Sequence, residues 1–162
     1  DTGIQSMQIE AAGPDVSDIA DELLRSCYGP RFQMQLETFR PKTSGEGDKD
    51  VFEVVITDHL RNRKGDLDTF SGGEQVILAE ALALAIAIFN CRRARGRLET
   101  LVRDETTGPL DPQHARAYMM MLRRALELGH FHMIFFVSQD PELWEFADSR
   151  LHVSGGQVAA VL

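Results

Sequence analysis

The stretch DTFSGGEQVILAEALALAIAIFNCRR, residues 68–93, constrains the fold more than any other part of the chain. It opens on a polar turn, Ser71-Gly72-Gly73-Glu74, and continues as a helix that is apolar on nearly every side, with Glu80 the only charge between Glu74 and Arg92. A helix of that composition has no polar stripe to give to solvent, so it belongs inside a layered domain. Ser71 and Glu74 have the spacing of a capping box, which starts such a helix. Two adjacent glycines at a helix start let backbone N–H groups and the helix dipole approach an anion closely, although the same residues also make a plain capped turn. Yet no G-x-x-x-x-G-K-[ST] loop occurs anywhere in the 162 residues, so the loop that normally cradles a nucleotide's phosphates is absent.

The remaining elements order themselves around that helix. PDVSDIADELLRSCYGP puts Val16, Ile19, Ala20, Leu23, Leu24 and Cys27 on one helical stripe, with Asp15 as N-cap and Gly29 as stop. Residues 1–14 are then a disordered or coiled-coil-proximal lead. Residues 31–40 and 51–57 alternate apolar and polar and are joined by PKTSGEGDKD, which reads as an antiparallel hairpin. Helix and hairpin fill residues 15–67, and residues 68–162 run from the glycine turn to the C-terminus. Residues 98–103 read as a buried strand leading to RDETTGPLDP, whose Asp111 and Pro112 open a helix that ends before Gly129. HMIFFVS reads as a second buried strand, QDPELWEFA as a short helix opened by Asp140 and Pro141, and the tail as a hairpin turning at Gly155 and Gly156. Strand, helix, strand in this order is an α/β pattern: a single domain with helices packed on a mostly parallel sheet, accompanied by antiparallel hairpins.

Composition narrows the setting. With 43% apolar and 26% charged residues the chain reads as soluble and globular. The uncharged apolar run at residues 81–89 falls short of the roughly 20 residues of a membrane span, and no signal pattern opens the chain, so a cytoplasmic protein without a membrane partner is expected. Cys27 and Cys91 sit in predicted helices without metal-ligand spacing and read as buried, reduced thiols. A net charge of −8 argues against this piece alone being a general DNA-binding surface. The basic clusters at residues 61–64 and 92–97 read first as solvated surface. A start at Asp1 rather than Met fits an excised or engineered fragment.

The strand in LETLVRDE delivers two adjacent carboxylates, Asp104 and Glu105, to its carboxyl end, where open α/β sheets hold their ligands. One such acid can hold Mg²⁺ while the other orients and deprotonates a water that attacks a γ-phosphate; the bland alternative is an Asp-Glu pair in a surface turn. Gln139, at the end of HMIFFVS, can sense a phosphate or hydrogen-bond its own loop.

SGGEQ, LETLVRDE, GPLD and FFVSQD, in this order, resemble the signature motif, Walker B strand, D-loop and switch strand of the C-terminal half of an ABC-type P-loop ATPase head. FSGGE followed by an Ala- and Leu-rich helix looks most like the coiled-coil branch: SbcC, the SMC proteins and related DNA double-strand-break repair ATPases. The resemblance implies a cofactor, ATP with Mg²⁺, sandwiched between two heads. In it Ser71, Gly72 and Gly73, with Glu74 in the same motif, meet the γ-phosphate held by the opposite head. Asp104 supports the metal, Glu105 is the catalytic base, Gln139 stands at the switch position and Asp111 couples the two sites. Binding closes the dimer and hydrolysis opens it, driving conformational change on DNA in double-strand-break repair or chromosome maintenance. The implied partners are the chain's own N-terminal Walker A half, a second head in a homodimer, and DNA in the assembled protein, with a nuclease partner left open; a bacterial protein would be nucleoid-associated.

Three departures qualify the resemblance. The family commonly has His where this chain has Gln139, which cannot supply a positive charge. An aliphatic residue usually precedes the Walker B Asp, and here it is Arg103, which needs a buried partner; Glu99 and Glu105 are candidates. Pro109 stiffens the D-loop. Two other readings stay open: a catalytically degenerate head serving as a structural dimerisation module, and a fragment of a transporter's nucleotide-binding domain, a class that usually carries LSGGQ.

Overall fold

A computed structural model of the chain describes residues 2–41, 48–94, 98–104 and 110–161. Helix α1 spans Thr2–Tyr28, β1 Phe32–Pro41, β2 Asp48–Asp58 and β3 Arg63–Gly65; α2 spans Gly72–Arg93, β4 Thr100–Asp104, α3 Pro112–Gly129, β5 Met133–Val137, β6 Arg150–Ser154 and β7 Gln157–Val161. Strands β1, β2 and β3 form an antiparallel sheet in that order, β4 and β5 a parallel pair, and β6 and β7 a hairpin. The α/β class holds, with parallel pairing confined to β4 and β5 among the described residues.

The core lies where α1, α2 and α3 pack on one another. Val16, Ile19, Ala20, Leu23 and Leu24 supply the α1 stripe, as their spacing predicts. Ile77, Leu78, Ala81, Leu84, Ala85 and Ile88 supply α2, and Ala115, Tyr118, Met121, Leu122 and Ala125 supply α3. α1 also closes the open edge of the hairpin sheet, because Asp21 Oδ1 accepts the Met34 N–H at 2.6 Å and Ser17 Oγ accepts the Leu36 N–H at 3.1 Å. Those side chains satisfy edge-strand donors that would otherwise face another chain. Gly29, at φ +60°, ends α1 in the left-handed region that glycine tolerates.

Four expectations need correction. Asp15 is not an N-cap, because α1 starts at Thr2 and runs through Pro14; Pro14 deletes one donor, and the buried stripe that follows carries the helix on. Helix α2 is not enclosed on all sides: Ile86 is exposed, and only the face toward α1 and α3 is buried. By length and composition α2 meets the size of a membrane span, but its Glu74 and Glu80 are ion-paired to other elements, which makes it a core helix. Strands β4 and β5 are not buried on both faces, since Val102 is 63% and Val137 50% exposed. Cys27 and Cys91 lie in helices as free thiols but are only half-buried, and burial pushes the Cys27 thiol up to about 12.

The C-terminus of α3 explains Gly129. A Cβ there would clash with the Phe131 ring, and His130 at φ 52° turns the chain so that Phe131 folds back into the core. Arg123 then docks the last segment on α3, donating to Asp148 Oδ2 at 2.8 Å and to the Phe146 carbonyl at 2.7 Å.

Leu78 is fully buried at the centre of the three-helix contact. Leu78→Ala is expected to destabilise the chain by about 2–5 kcal/mol. Urea titration checks this: the midpoint falls at an unchanged slope, whereas an unmoved midpoint contradicts this assignment of the core.

Candidate functional site

The glycine turn is fixed from below by charge. Glu74 is only 3% exposed, and its Oε2 accepts both the Ser71 N–H at 3.2 Å and the Ser71 hydroxyl at 2.9 Å. Arg61 Nη1 reaches Glu74 Oε1 at 3.0 Å, Arg63 Nη2 reaches Oε2 at 3.3 Å, and Arg31 Nη2 donates to Oε1 as well. Arg31 also bridges to Asp58, with Nη2 at 2.9 Å from Oδ2. Asp58 is fully buried and accepts the Leu60 and Arg61 N–H groups that close the turn between β2 and β3. The guanidiniums of Arg31 and Arg63 lie over the rings of Phe32 and Phe70, at 4.2 and 4.4 Å. Burial pushes the Glu74 carboxyl upward, but bonds from Arg31 and Ser71 outweigh it and bring it down to about 2. The Asp58 carboxyl, lifted by burial, is likewise held below its ordinary value by Arg31.

Glu74 therefore faces inward, and its carboxylate is occupied by arginines rather than offered to a ligand. Residues 61–64 lie at the surface, with Arg61 and Lys64 exposed, yet they are engaged there: Arg61 and Arg63 reach Glu74, and Lys64 pairs with Glu37 at 3.3 Å. In the second basic cluster, Arg92 donates to the Leu128 carbonyl at 2.9 Å and Arg93 lies over Phe89; residues 95–97 fall outside the described residues.

The other side of the turn is open. A Cβ on Gly72 would meet nothing within 4 Å, so its backbone is accessible, as an anion at a helix start requires. A Cβ on Gly73 would meet His114 Nδ1 at 3.1 Å, so Gly73 is where α3 comes close. His114 in turn holds Asp111, its N–H donating to Oδ1 at 2.9 Å and its Nδ1 lying 2.7 Å from Oδ2. The backbone N–H and the imidazole together keep the Asp111 carboxyl below its usual value. Gly73 and Asp111 are thus brought together through one histidine.

At the parallel pair, register aligns Val102 with Phe135 and Asp104 with Val137. Exposure alternates along both strands, so Asp104 shares the open, apolar face with Val102, Phe135 and Val137. Gln139 lies just beyond the end of β5 and is exposed. Glu105 falls outside the described residues, as does Pro109. Among the described residues no three His, Cys, Asp or Glu side chains cluster as a metal site. The exposed Asp104 carboxylate at a strand end fits Mg²⁺ all the same, since that ion takes one or two carboxylates and completes its shell with water and phosphate.

Arg103 faces the opposite way. Among the described residues its partner is Glu80 rather than Glu99: Arg103 donates to Glu80 on α2, and its Nε lies 3.3 Å from the Tyr118 hydroxyl on α3, while Glu105 lies outside the described residues. Glu99 instead lies 3.6 Å from His132. The arginine cage of Glu74, the Arg103 partner and the role of His114 escaped the sequence reading because each joins residues far apart in the chain. The one local signal was Arg31, a charge set among the aromatic Tyr28 and Phe32.

No protein-family model matches the chain. It is 33% identical over 93 residues to a DNA double-strand break repair Rad50 ATPase of Pyrococcus abyssi, a match covering 56% of this chain and 10% of that protein. The chain thus spans about a tenth of that relative's length. In fold it is similar to a solved structure from work on ATP-driven dimerisation and DNA-stimulated activation of SMC ATPases, with a TM-score of 0.67 at 17% identity over 99% of this chain and 88% of that one. The SMC head domain of Thermotoga maritima matches with a TM-score of 0.63 at 20% identity, covering 97% of this chain and 50% of that one. A Pyrococcus furiosus Smc head bound to the C-terminal domain of ScpA matches with a TM-score of 0.58 at 18% identity, covering 94% and 34%. The chain has the fold of the C-terminal part of an SMC-type head, and its motifs resemble those of SbcC/SMC-like ABC-type ATPases.

Glu74 yields a prediction with a sign. Its folded pKa lies near 2, below the ordinary 4.5, so the stability it contributes is complete above pH 4.5 and lost as pH falls through about 2. Glu74→Ala is expected to cost roughly 3 kcal/mol at pH 7, because it leaves the half-buried Arg31 and Arg63 without their shared carboxylate. Denaturant titrations of both proteins across that window should show most of the gap closing at the acid end; a gap unchanged at pH 2 contradicts the pairing.

Proposed function

We propose that this chain is the C-terminal lobe of an SbcC/SMC-like ATPase, active only when joined to its Walker A half and paired with a second head. One observation carries the reading: Asp104 sits on the uncovered apolar face of the parallel pair, beside Val102, Phe135 and Val137, where a further layer of the same head would both cover the sheet and bring nucleotide to the acid. A water-facing sheet of this composition is costly to leave bare. The sequence likeness to a Rad50 ATPase and the fold likeness to SMC heads support the same reading.

ATP supplies the γ-phosphate that links the two heads and the phosphoanhydride bond that is hydrolysed. The open backbone at Gly72, with Ser71 beside it, contacts the γ-phosphate of a nucleotide held mainly by the opposite head. The carboxylate of Asp104 supports Mg²⁺. Glu105 takes the proton of the attacking water, and Gln139 orients that water with a neutral hydrogen bond. Asp111, held by His114, reports closure from one site to the other. Turnover then serves shape change on DNA, in double-strand-break repair or chromosome maintenance, in a cytoplasmic or nucleoid-associated protein.

Gln139 alone favours the second reading, a head that dimerises without hydrolysis. Arg103 no longer does, because Glu80 gives it a partner. In the full-length protein, Glu105→Gln and Ser71→Arg are each expected to lower ATP turnover by about a hundredfold or more. Only Glu105→Gln should accumulate dimers on ATP by light scattering. A wild type that dimerises but never turns over ATP overturns the enzyme and leaves the module.

A further inference from the structure

A polar triad lies beneath the site, with two of its three members, Glu80 and Tyr118, outside the motifs. Arg103, on β4, donates to Glu80 on α2 and to the Tyr118 hydroxyl on α3, and that hydroxyl lies 3.2 Å from Glu80 Oε2. Tyr118 is buried, while the side chains of Glu80 and Arg103 are 14% and 21% exposed. Each member sits at a regular remove from a motif. Glu80 lies about two helical turns along α2 from Gly73, Tyr118 about two turns along α3 from Asp111, and Arg103 immediately precedes Asp104.

We propose that Glu80, Arg103 and Tyr118 act as positioning residues, a strut that fixes the end of β4 and thereby aims the Asp104 carboxylate at a Mg²⁺-bound nucleoside triphosphate according to how the glycine turn and the Asp111 loop are engaged. This rests on the ATPase reading above. Side chains alternate across a strand, so Arg103 anchors β4 from the core side while Asp104 projects from the other. A guanidinium fork fixes its partners in direction as well as distance, which an ammonium or an aliphatic side chain does not. A buried ion pair exchanged for apolar residues of similar size is often neutral in stability, so stability alone gives the triad little purpose. Geometry gives it one: small displacements of a reacting group cost rate steeply.

The test uses full-length protein, following ATP turnover against Mg²⁺ concentration, ATP-induced dimerisation and thermal melting. In the double variant Glu80→Leu with Arg103→Leu, the melting temperature should stay close to wild type and dimers should still form. Its kcat should fall about tenfold, with a severalfold rise in the Mg²⁺ needed for half-maximal rate, in the range that loss of an outer-shell support produces. Arg103→Lys should recover part of that loss. Tyr118→Phe, which deletes a single hydroxyl, carries the same Mg²⁺ readout if the double variant fails to fold. Wild-type kcat and Mg²⁺ dependence in the variants, while the wild type turns over, overturn the strut alone. Absence of turnover in the wild type overturns the ATPase reading and the strut with it.

Discussion

Two buried carboxylates, Asp58 and Glu74, stand at the junction on which the rest of the molecule depends. Neither could be charged there unaided, since an isolated carboxylate in an apolar interior is driven to neutrality. Arg31 supplies the shared counter-charge, touching both acids, and Arg61 and Arg63 complete the balance from the solvent side. The result ties three separate elements at one point: the end of α1, the turn leaving β2, and the first turn of α2. The glycine turn does not float on a loop; its Ser71 is bonded to Glu74, and Glu74 is bonded to the hairpin.

That arrangement gives α1 a mechanical meaning. A long helix ending at Tyr28 feeds directly into Arg31, and Arg31 into the base of the glycine turn. The aromatic rings of Tyr28, Phe32 and Phe70 pack edge-on around it, and Tyr28 also contacts His114, which holds Asp111. The glycine turn and the Asp111 cap thus share one supporting cluster inside a single chain. Ion pairs and edge-on rings have discrete arrangements, so such a cluster suits a two-state device better than a graded one.

How much of this was written in the sequence varies with the range of the interaction. Local periodicity gave the α1 stripe, the β1–β2 hairpin, the Asp111 cap and the Gly155-Gly156 turn, because each depends on residues a few positions apart. Asp15 misled because a helix tolerates one missing donor at Pro14 when its next turns are well packed. The expectation of buried β4 and β5 strands misled for a different reason. Their apolar composition reads as burial on both faces, yet Val102, Phe135 and Val137 form an apolar face that the described residues leave exposed. The candidate site can be named from the sequence as types and order, Ser-Gly-Gly, Asp-Glu and Asp111, but its supports cannot. Arg31 with Glu74, His114 with Gly73 and Arg103 with Glu80 are pairings that only tertiary structure creates.

The central claim is that this lobe supplies half of a shared nucleotide site. The most direct measurement is a structure of the full-length protein with Mg²⁺ and a non-hydrolysable ATP analogue. The account predicts two heads enclosing the nucleotide, with Ser71 and Gly72 of one at hydrogen-bond distance from the γ-phosphate bound to the other, and Asp104 beside the metal. A nucleotide held within a single head, with the Ser71 turn far from any phosphate and Val102 still bare, would contradict it.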